Sequence, residues 1–338
     1  MTIEIDFAAD SLTSEQQATF AADATAVYAV LDRMRRDAEL PASQIKLLVA
    51  DDFVTAVRGN QRDEEPFVAE RPFGRVGAKN LAQDEASERV VIVFDSQVGN
   101  DRWRALGLIA HELAHPILTR ARHASGVLDN VVYPSHTPTE IARSISRIGF
   151  DEYRADTIAD IVLGAARTRT VDGVHSPART WDLLGQDYWE GVREYFSGLY
   201  PQLPDLVQTY REWRLDLMSI WVEVVRQSEA IVTAFMHARA HADGADDDIA
   251  ILDSNRIRSL PFVRLYLADT LPPYLNAVRM GPILPQMEEV ASLDAQVVAA
   301  GESMLREIWR RLGLTFSEKT EAREFGIHVS APLMDEGR

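Results

Sequence analysis

The segment His111-Glu112-Leu113-Ala114-His115 carries the residue types of a metal site that activates water. Two histidines four positions apart lie on the same face of a helix, so both imidazoles can reach one zinc ion. Glu112 lies one position round the helix, where its carboxylate can reach a water rather than the ion. The spacing therefore predicts that His111 and His115 are zinc ligands and that Glu112 is a general base.

A catalytic zinc site needs a third protein ligand. His123 lies too far beyond His115 to complete a compact three-histidine site. Glu152 offers a better third ligand, in the segment EYRAD. Asp156 follows one helical turn later, where it can accept the second N–H of a ligand histidine and fix its tautomer.

The assignment of Glu152 leaves alternatives open. Asp156 or Asp160 could replace it as the ligand, and the acidic residues around them could instead form a solvated helix face. Pro116 directly follows the second histidine, and a proline inside a helix removes a backbone donor and can kink or end the helix. Such a break could open the site or displace His115.

HELAH followed by EYRAD resembles the gluzincin metallopeptidases, in which HExxH and a downstream ExxxD supply the zinc ligands and an outer-shell carboxylate. The EYRAD segment looks most like the HtpX and CAAX-protease branch, which is built on membrane spans. The soluble proteins that the chain resembles are the minigluzincins and the ImmA/IrrE-type proteins. The resemblance covers roughly residues 14–167 and implies a helix, a small twisted sheet, the HExxH helix and then the glutamate helix.

The resemblance also implies roles for single residues. One zinc ion per chain would be held by His111, His115 and Glu152, with Asp156 behind a ligand histidine. Glu112 would take a proton from the attacking water and pass it to the leaving amine of a peptide substrate. An oxyanion donor is usual in such sites, and Tyr133 and His136 are unranked candidates for it.

The elements that would position these residues follow from periodicity and caps. Val90–Phe94 is the clearest strand, and we expect it to be the edge strand to which an extended peptide adds. Residues 137–140 predict the start of a helix. We expect that helix to break near Gly149. The other N-terminal elements expected are a helix to about residue 37 opened by Ser14 and Gln17, a strand over 45–57, a weaker strand over 73–80, a helix from about residue 100, and a helix over 151–167.

Beyond residue 178 the sequence predicts helices near 179–198, 204–241, 262–280 and 285–312, separated by proline and glycine. The expected fold class is α+β, with a zincin-like N-terminal half followed by an all-helical C-terminal half. The predicted domains are a metallopeptidase domain over 1–170, a helical domain or extension over 178–312, and a partly ordered tail over 313–338. His237 and His241 repeat the four-residue spacing, but no glutamate follows the first, and this favours a surface pair.

Composition limits the partners. The chain has 35 Lys and Arg against 52 Asp and Glu, a formal charge of −17, which argues against nucleic acid and anionic membranes. It has no cysteine, so disulfides and thiolate ligands are excluded. No apolar run of about 18 residues and no signal peptide is visible, so we expect a cytoplasmic protein. Two other functions stay open: a zincin-fold regulatory or binding protein with little hydrolysis, and a structural zinc clamp.

Overall fold

In the computed structural model, which describes most of the chain, the protein forms two compact units. The first unit comprises 1–128, 154–188 and 282–291, and the second comprises 129–153, 189–281 and 292–338. The domain boundaries predicted from sequence stay predictions. The described residues are 3–61, 67, 69–71, 74–84, 86–127, 136–166, 168–171, 174–177, 181–245, 257–319 and 324–334.

A four-stranded sheet forms the centre of the first unit, in the order β1-β2-β6-β5. The first three of these strands are parallel, and β5 runs antiparallel to β6. The strands of this unit, with two short hairpins β3–β4 and β7–β8 outside the sheet, are β1 Glu4–Ala8, β2 Gln44–Ala50, β3 Glu70–Arg71, β4 Gly74–Arg75, β5 Ala78–Ala82, β6 Arg89–Asp95, β7 Thr168–Val171 and β8 Val174–Pro177.

The strand predicted over Val90–Phe94 is present as β6, but the prediction that it is an edge strand is wrong. Strand β6 pairs with β2 on one side and with β5 on the other. Its central residues are almost fully buried. An uninterrupted apolar run is typical of a strand covered on both faces, and such a strand lies inside the sheet. The edges are β1 and β5.

Helices cover both faces of this sheet. On one face α1 (Ser14–Asp37) and α3 (Arg102–Ala124) pack in the larger core together with Ala155, Ile158 and other residues of α4 (Pro138–Ala166). On the other face lies α2 (Phe53–Asn60). The strand predicted over 45–57 is therefore only half right: Asp52 accepts a hydrogen bond from the Thr55 amide at 3.0 Å and starts a helix.

The predicted starts of α1 and α4 differ in accuracy. Helix α1 is capped one residue earlier than expected, by Thr13 and Gln16. Helix α4 begins as predicted: the Thr137 amide donates to Glu140 at 2.8 Å, and the Glu140 amide donates to the Thr137 hydroxyl at 3.3 Å. The break predicted near Gly149 is absent, and α4 runs through it without interruption.

The second unit is built mainly from helices: part of α4, most of α5 (Trp181–Arg211), α6 (Leu217–Ala245), α7 (Leu271–Met280) and most of α8 (Val290–Arg311). The predicted break near residues 199–203 is wrong, because α5 continues to Arg211 and the chain turns at 212–216. Antiparallel strands β9 (Leu314–Lys319) and β10 (Glu324–Val329) follow.

The fold is thus mixed α+β, as predicted, with a small sheet and a predominance of helix. The prediction of an all-helical C-terminal half fails at the β9–β10 hairpin, where residues 313–338 were expected to be a partly ordered tail. In Leu314–Lys319 buried or partly buried positions alternate with exposed ones, as in a strand with one face covered. Among the helices described, none is long and apolar enough to cross a bilayer.

Candidate metal centre

Helix α3 holds both histidines because its sequence fixes one face against the sheet. Asp101 caps the helix by accepting hydrogen bonds from the amides of Trp103 and Arg104, at 3.0 and 3.2 Å. Ile109 and Leu113 are fully buried. Their burial sets the rotation of the helix, and His111 and His115 consequently lie at its partly buried flank.

The two imidazoles converge at their Nε2 atoms, which are 3.1 Å apart. The rings are nearly perpendicular, with an interplanar angle of 80°. Two nitrogens that each lie about 2.05 Å from a tetrahedral zinc ion are separated by about 3.3 Å. The observed separation therefore suits two nitrogen ligands of one metal ion.

Asp156 lies behind His111, where the sequence places an outer-shell partner. Its Oδ1 is 2.7 Å from Nδ1 of the imidazole, and its carboxylate is almost fully buried. A carboxylate at this distance accepts the Nδ1 hydrogen, so that Nε2 keeps its lone pair for a metal. The contact fixes both the tautomer and the orientation of the ring.

Glu152 joins the two histidines. One nitrogen of His111, one of His115 and one carboxylate oxygen of Glu152 all lie within 4.8 Å of one another. Because α4 is continuous, Glu152 and Asp156 lie one turn apart on one helix, as the EYRAD spacing predicts. This His-His-Glu cluster could bind a metal ion. In the part of the chain that the structure describes, it is the group of histidine and acidic side chains that lie close enough together to hold one ion.

Glu112 is almost fully buried on α3, next to the first histidine in sequence. The amide of Asn80, on strand β5, donates to the Glu112 carboxylate and also to the Glu112 backbone carbonyl, the latter at 3.0 Å. Sequence reasoning did not find Asn80. The available signal was a polar amide that alternates with two alanines, Ala78 and Ala82, along one face of strand β5.

His237 is a second residue that the sequence interpretation misjudged. The surface position predicted for it is wrong, because its side chain is only 19% exposed and its Nε2 lies 3.6 Å from Oε2 of Glu152. The available signal was the second pair of histidines at four-residue spacing, His237 and His241, on α6. The side chain of His241 lies outside the described residues.

The two candidate oxyanion donors remain untested. Tyr133 lies outside the described residues, and His136 is partly buried in the segment that leads into α4. Pro116 neither ends nor breaks α3, which runs on to Ala124 with the proline ring buried. Of the two effects left open for Pro116, displacement of His115 does not occur, since the Nε2 atom of His115 lies 3.1 Å from that of His111.

Comparison with protein-family models, with curated proteins and with solved structures finds no match to this chain. The gluzincin resemblance therefore stays a prediction that depends on the two motifs.

Proposed function

We propose that this chain is a zinc-dependent metallopeptidase with a zincin-like arrangement of sheet, HExxH helix and glutamate helix. The observation that carries the proposal is the convergence of His111, His115 and Glu152, with Asp156 bonded to the far side of one imidazole. Two imidazoles and one carboxylate are a donor set typical of catalytic zinc.

The number of ligands favours catalysis over a structural zinc clamp. Structural zinc sites usually have four protein ligands, whereas catalytic sites have three and leave one position open. Within the described residues the cluster contains three. A bound zinc ion would supply a Lewis acid and an acidified water, whose pKa falls to about 7.

The chain's own residues would do the rest of the work. Asp156 holds the tautomer of His111 that can ligate, and Glu152 contributes a negative charge. Glu112 accepts the proton of a water molecule as that water forms a bond to the peptide carbonyl carbon. The same carboxyl group then gives the proton to the leaving nitrogen as the peptide bond breaks.

An extended peptide would bind along β5 rather than along the strand predicted from sequence. Strand β5 is an edge of the sheet and carries Asn80, which contacts the proposed base. Edge strands offer free main-chain donors and acceptors to an added strand. We therefore propose peptides or proteins as the substrate class.

The test combines metal content with hydrolysis of a mixture of fluorogenic peptides. We expect about one zinc per chain in the wild type and loss of zinc in His111→Ala. Glu112→Gln should keep the metal and lose hydrolysis by roughly 10²–10⁴-fold, because only the proton acceptor is removed. His123→Ala, on the same helix but outside the cluster, is the matched control and should behave as wild type.

Two outcomes would contradict the proposal in different ways. Full zinc content in His111→Ala would remove the site itself. A wild type that binds zinc but cleaves no peptide in the mixture would instead favour a zincin-fold binding or regulatory protein.

A further inference from the structure

Pro116 leaves one backbone carbonyl of α3 without its helical partner. In an α-helix the carbonyl of residue 112 would accept from the amide of residue 116, but proline has no N–H. Helix α3 nevertheless continues through Pro116 to Ala124. The carbonyl that loses its donor therefore belongs to Glu112, the proposed general base. A buried carbonyl without a donor is costly, so a substitute is expected.

Asn80 supplies that substitute and does more. Its Nδ2 lies 3.0 Å from the Glu112 carbonyl oxygen and also donates to the Glu112 carboxylate. An amide nitrogen carries two hydrogens, so one group can serve both acceptors of the same residue. With the amide reversed, its oxygen would face two acceptors, and this fixes the orientation of the side chain.

Packing alone does not account for an asparagine at this position. Asn80 pairs across the sheet with Ile92, which is fully buried in the core that includes α3. An apolar side chain is the usual choice there. The Asn80 oxygen, moreover, is buried without a hydrogen-bond partner among the described residues. The residue thus carries a desolvation cost that its two bonds to Glu112 offset.

We propose that Asn80 and Pro116 act together to position Glu112: the proline frees the carbonyl, and the asparagine bridges that carbonyl to the carboxylate. This inference depends on the proposed function, since it gives the bridge a purpose in catalysis. A bridge between the backbone and the side chain of one residue restricts the torsions between them. Displacement of a catalytic group by about 1 Å can cost about 10²-fold in rate, so Asn80 is a positioning residue.

The kinetic test uses zinc-loaded protein and the fluorogenic peptide mixture. Asn80→Leu keeps the volume of the side chain and removes both donors, and we expect kcat to fall about 10²-fold with KM and zinc content little changed. In the Glu112→Gln background the same substitution should have little further effect on rate, because the base is already absent. Asn60→Ala is the matched control: that amide donates to Ala56 at 2.9 Å within α2. An unchanged kcat in Asn80→Leu would overturn the positioning role.

A second measurement needs no activity. Pro116→Ala restores an amide to the helix, so the Glu112 carbonyl regains a donor. Asn80→Leu should then lower the midpoint of urea denaturation less in the Pro116→Ala background than in the wild type. Equal losses in both backgrounds would show that the two residues are not coupled and would overturn the inference. A chain that cleaves no peptide but shows this coupling would contradict the proposed function and leave the Asn80–Pro116 pairing intact.

Discussion

His111 combines the contacts that make the candidate site chemically specific. Its Nδ1 meets the carboxylate of Asp156 at 2.7 Å, and its Nε2 meets the corresponding nitrogen of His115 at 3.1 Å. The first contact takes up the ring hydrogen, so the lone pair lies on the side where the donors converge. A histidine on a solvated surface would have neither constraint.

For the Asp156 contact we predict that Asp156→Ala weakens zinc binding by about 10–100-fold, the usual effect of removing an outer-shell partner. The cause would be the lost acceptor for the Nδ1 hydrogen, which leaves the ring free to rotate or change tautomer. Competition with a chelator of known affinity measures the dissociation constant. Asp156→Asn keeps a neutral acceptor of the same shape and should lose less. Wild-type affinity in Asp156→Ala would separate this carboxylate from metal binding.

At the scale of elements, local signals predicted what local interactions determine. The capping box of α4 is confirmed because Thr137 and Glu140 complete it between themselves. The spacing of each metal motif lies within a single helix, so three ligands and the Asp156 partner could be proposed from sequence. The Asn80 contact with Glu112 could not, because it joins a strand to a helix and depends on strand order.

The wrong predictions concern features that tertiary packing decides. The continuity of α4 at Gly149 is the clearest case. A Cβ there would lie 2.3 Å from Cγ1 of Val232, 3.0 Å from Oη of Tyr274 and 3.1 Å from Cγ of Met236. The glycine permits close packing against two other helices of the same unit and does not end its own. Sequence alone cannot distinguish these two uses of a glycine.

This reading of Gly149 predicts that Gly149→Ala destabilises the protein. The added methyl group overpacks the contact with Val232, which costs about 1–3 kcal/mol. Replacing a glycine inside a helix by alanine gains at most about 1 kcal/mol in helix propensity, so the packing cost outweighs the gain. Gly198→Ala is the matched control, because a Cβ there meets nothing within 4 Å. It should stabilise the protein by up to about 1 kcal/mol. Urea denaturation measures both, and stabilisation by Gly149→Ala would refute the packing explanation.

At the scale of the whole chain, the C-terminal hairpin is tied to the helix that carries Glu152 and Asp156. Glu318, on β9, accepts a hydrogen bond from the Thr139 hydroxyl at 2.7 Å at the N-terminus of α4. Arg306, on α8, donates to the same carboxylate. An anion at a helix N-terminus is favoured by the helix dipole. The last strands thereby stabilise the start of α4.

The ionisation of the Glu318 carboxyl group makes its contacts with Thr139 and Arg306 dependent on pH. Partial burial alone would raise the pKa of its carboxyl group, but hydrogen bonds from Thr139 and Arg306, together with the Arg306 charge, outweigh burial and hold the pKa below its usual value. A lowered folded-state pKa contributes stability that is present above the unfolded-state pKa of about 4.3. That contribution is lost as the pH falls through the folded-state pKa.

We therefore predict that Glu318→Gln lowers the free energy of unfolding by about 1 kcal/mol at pH 7, and that the difference from wild type shrinks toward zero as the solution is acidified below about pH 4. Urea denaturation at a series of pH values measures it. Glu324→Gln is the control on the same hairpin, because its partner Lys319 is 3.6 Å away and both side chains are largely exposed. It should change stability little at any pH. A Glu318→Gln deficit that stays constant or grows in acid would show that the carboxylate charge does not stabilise the tie.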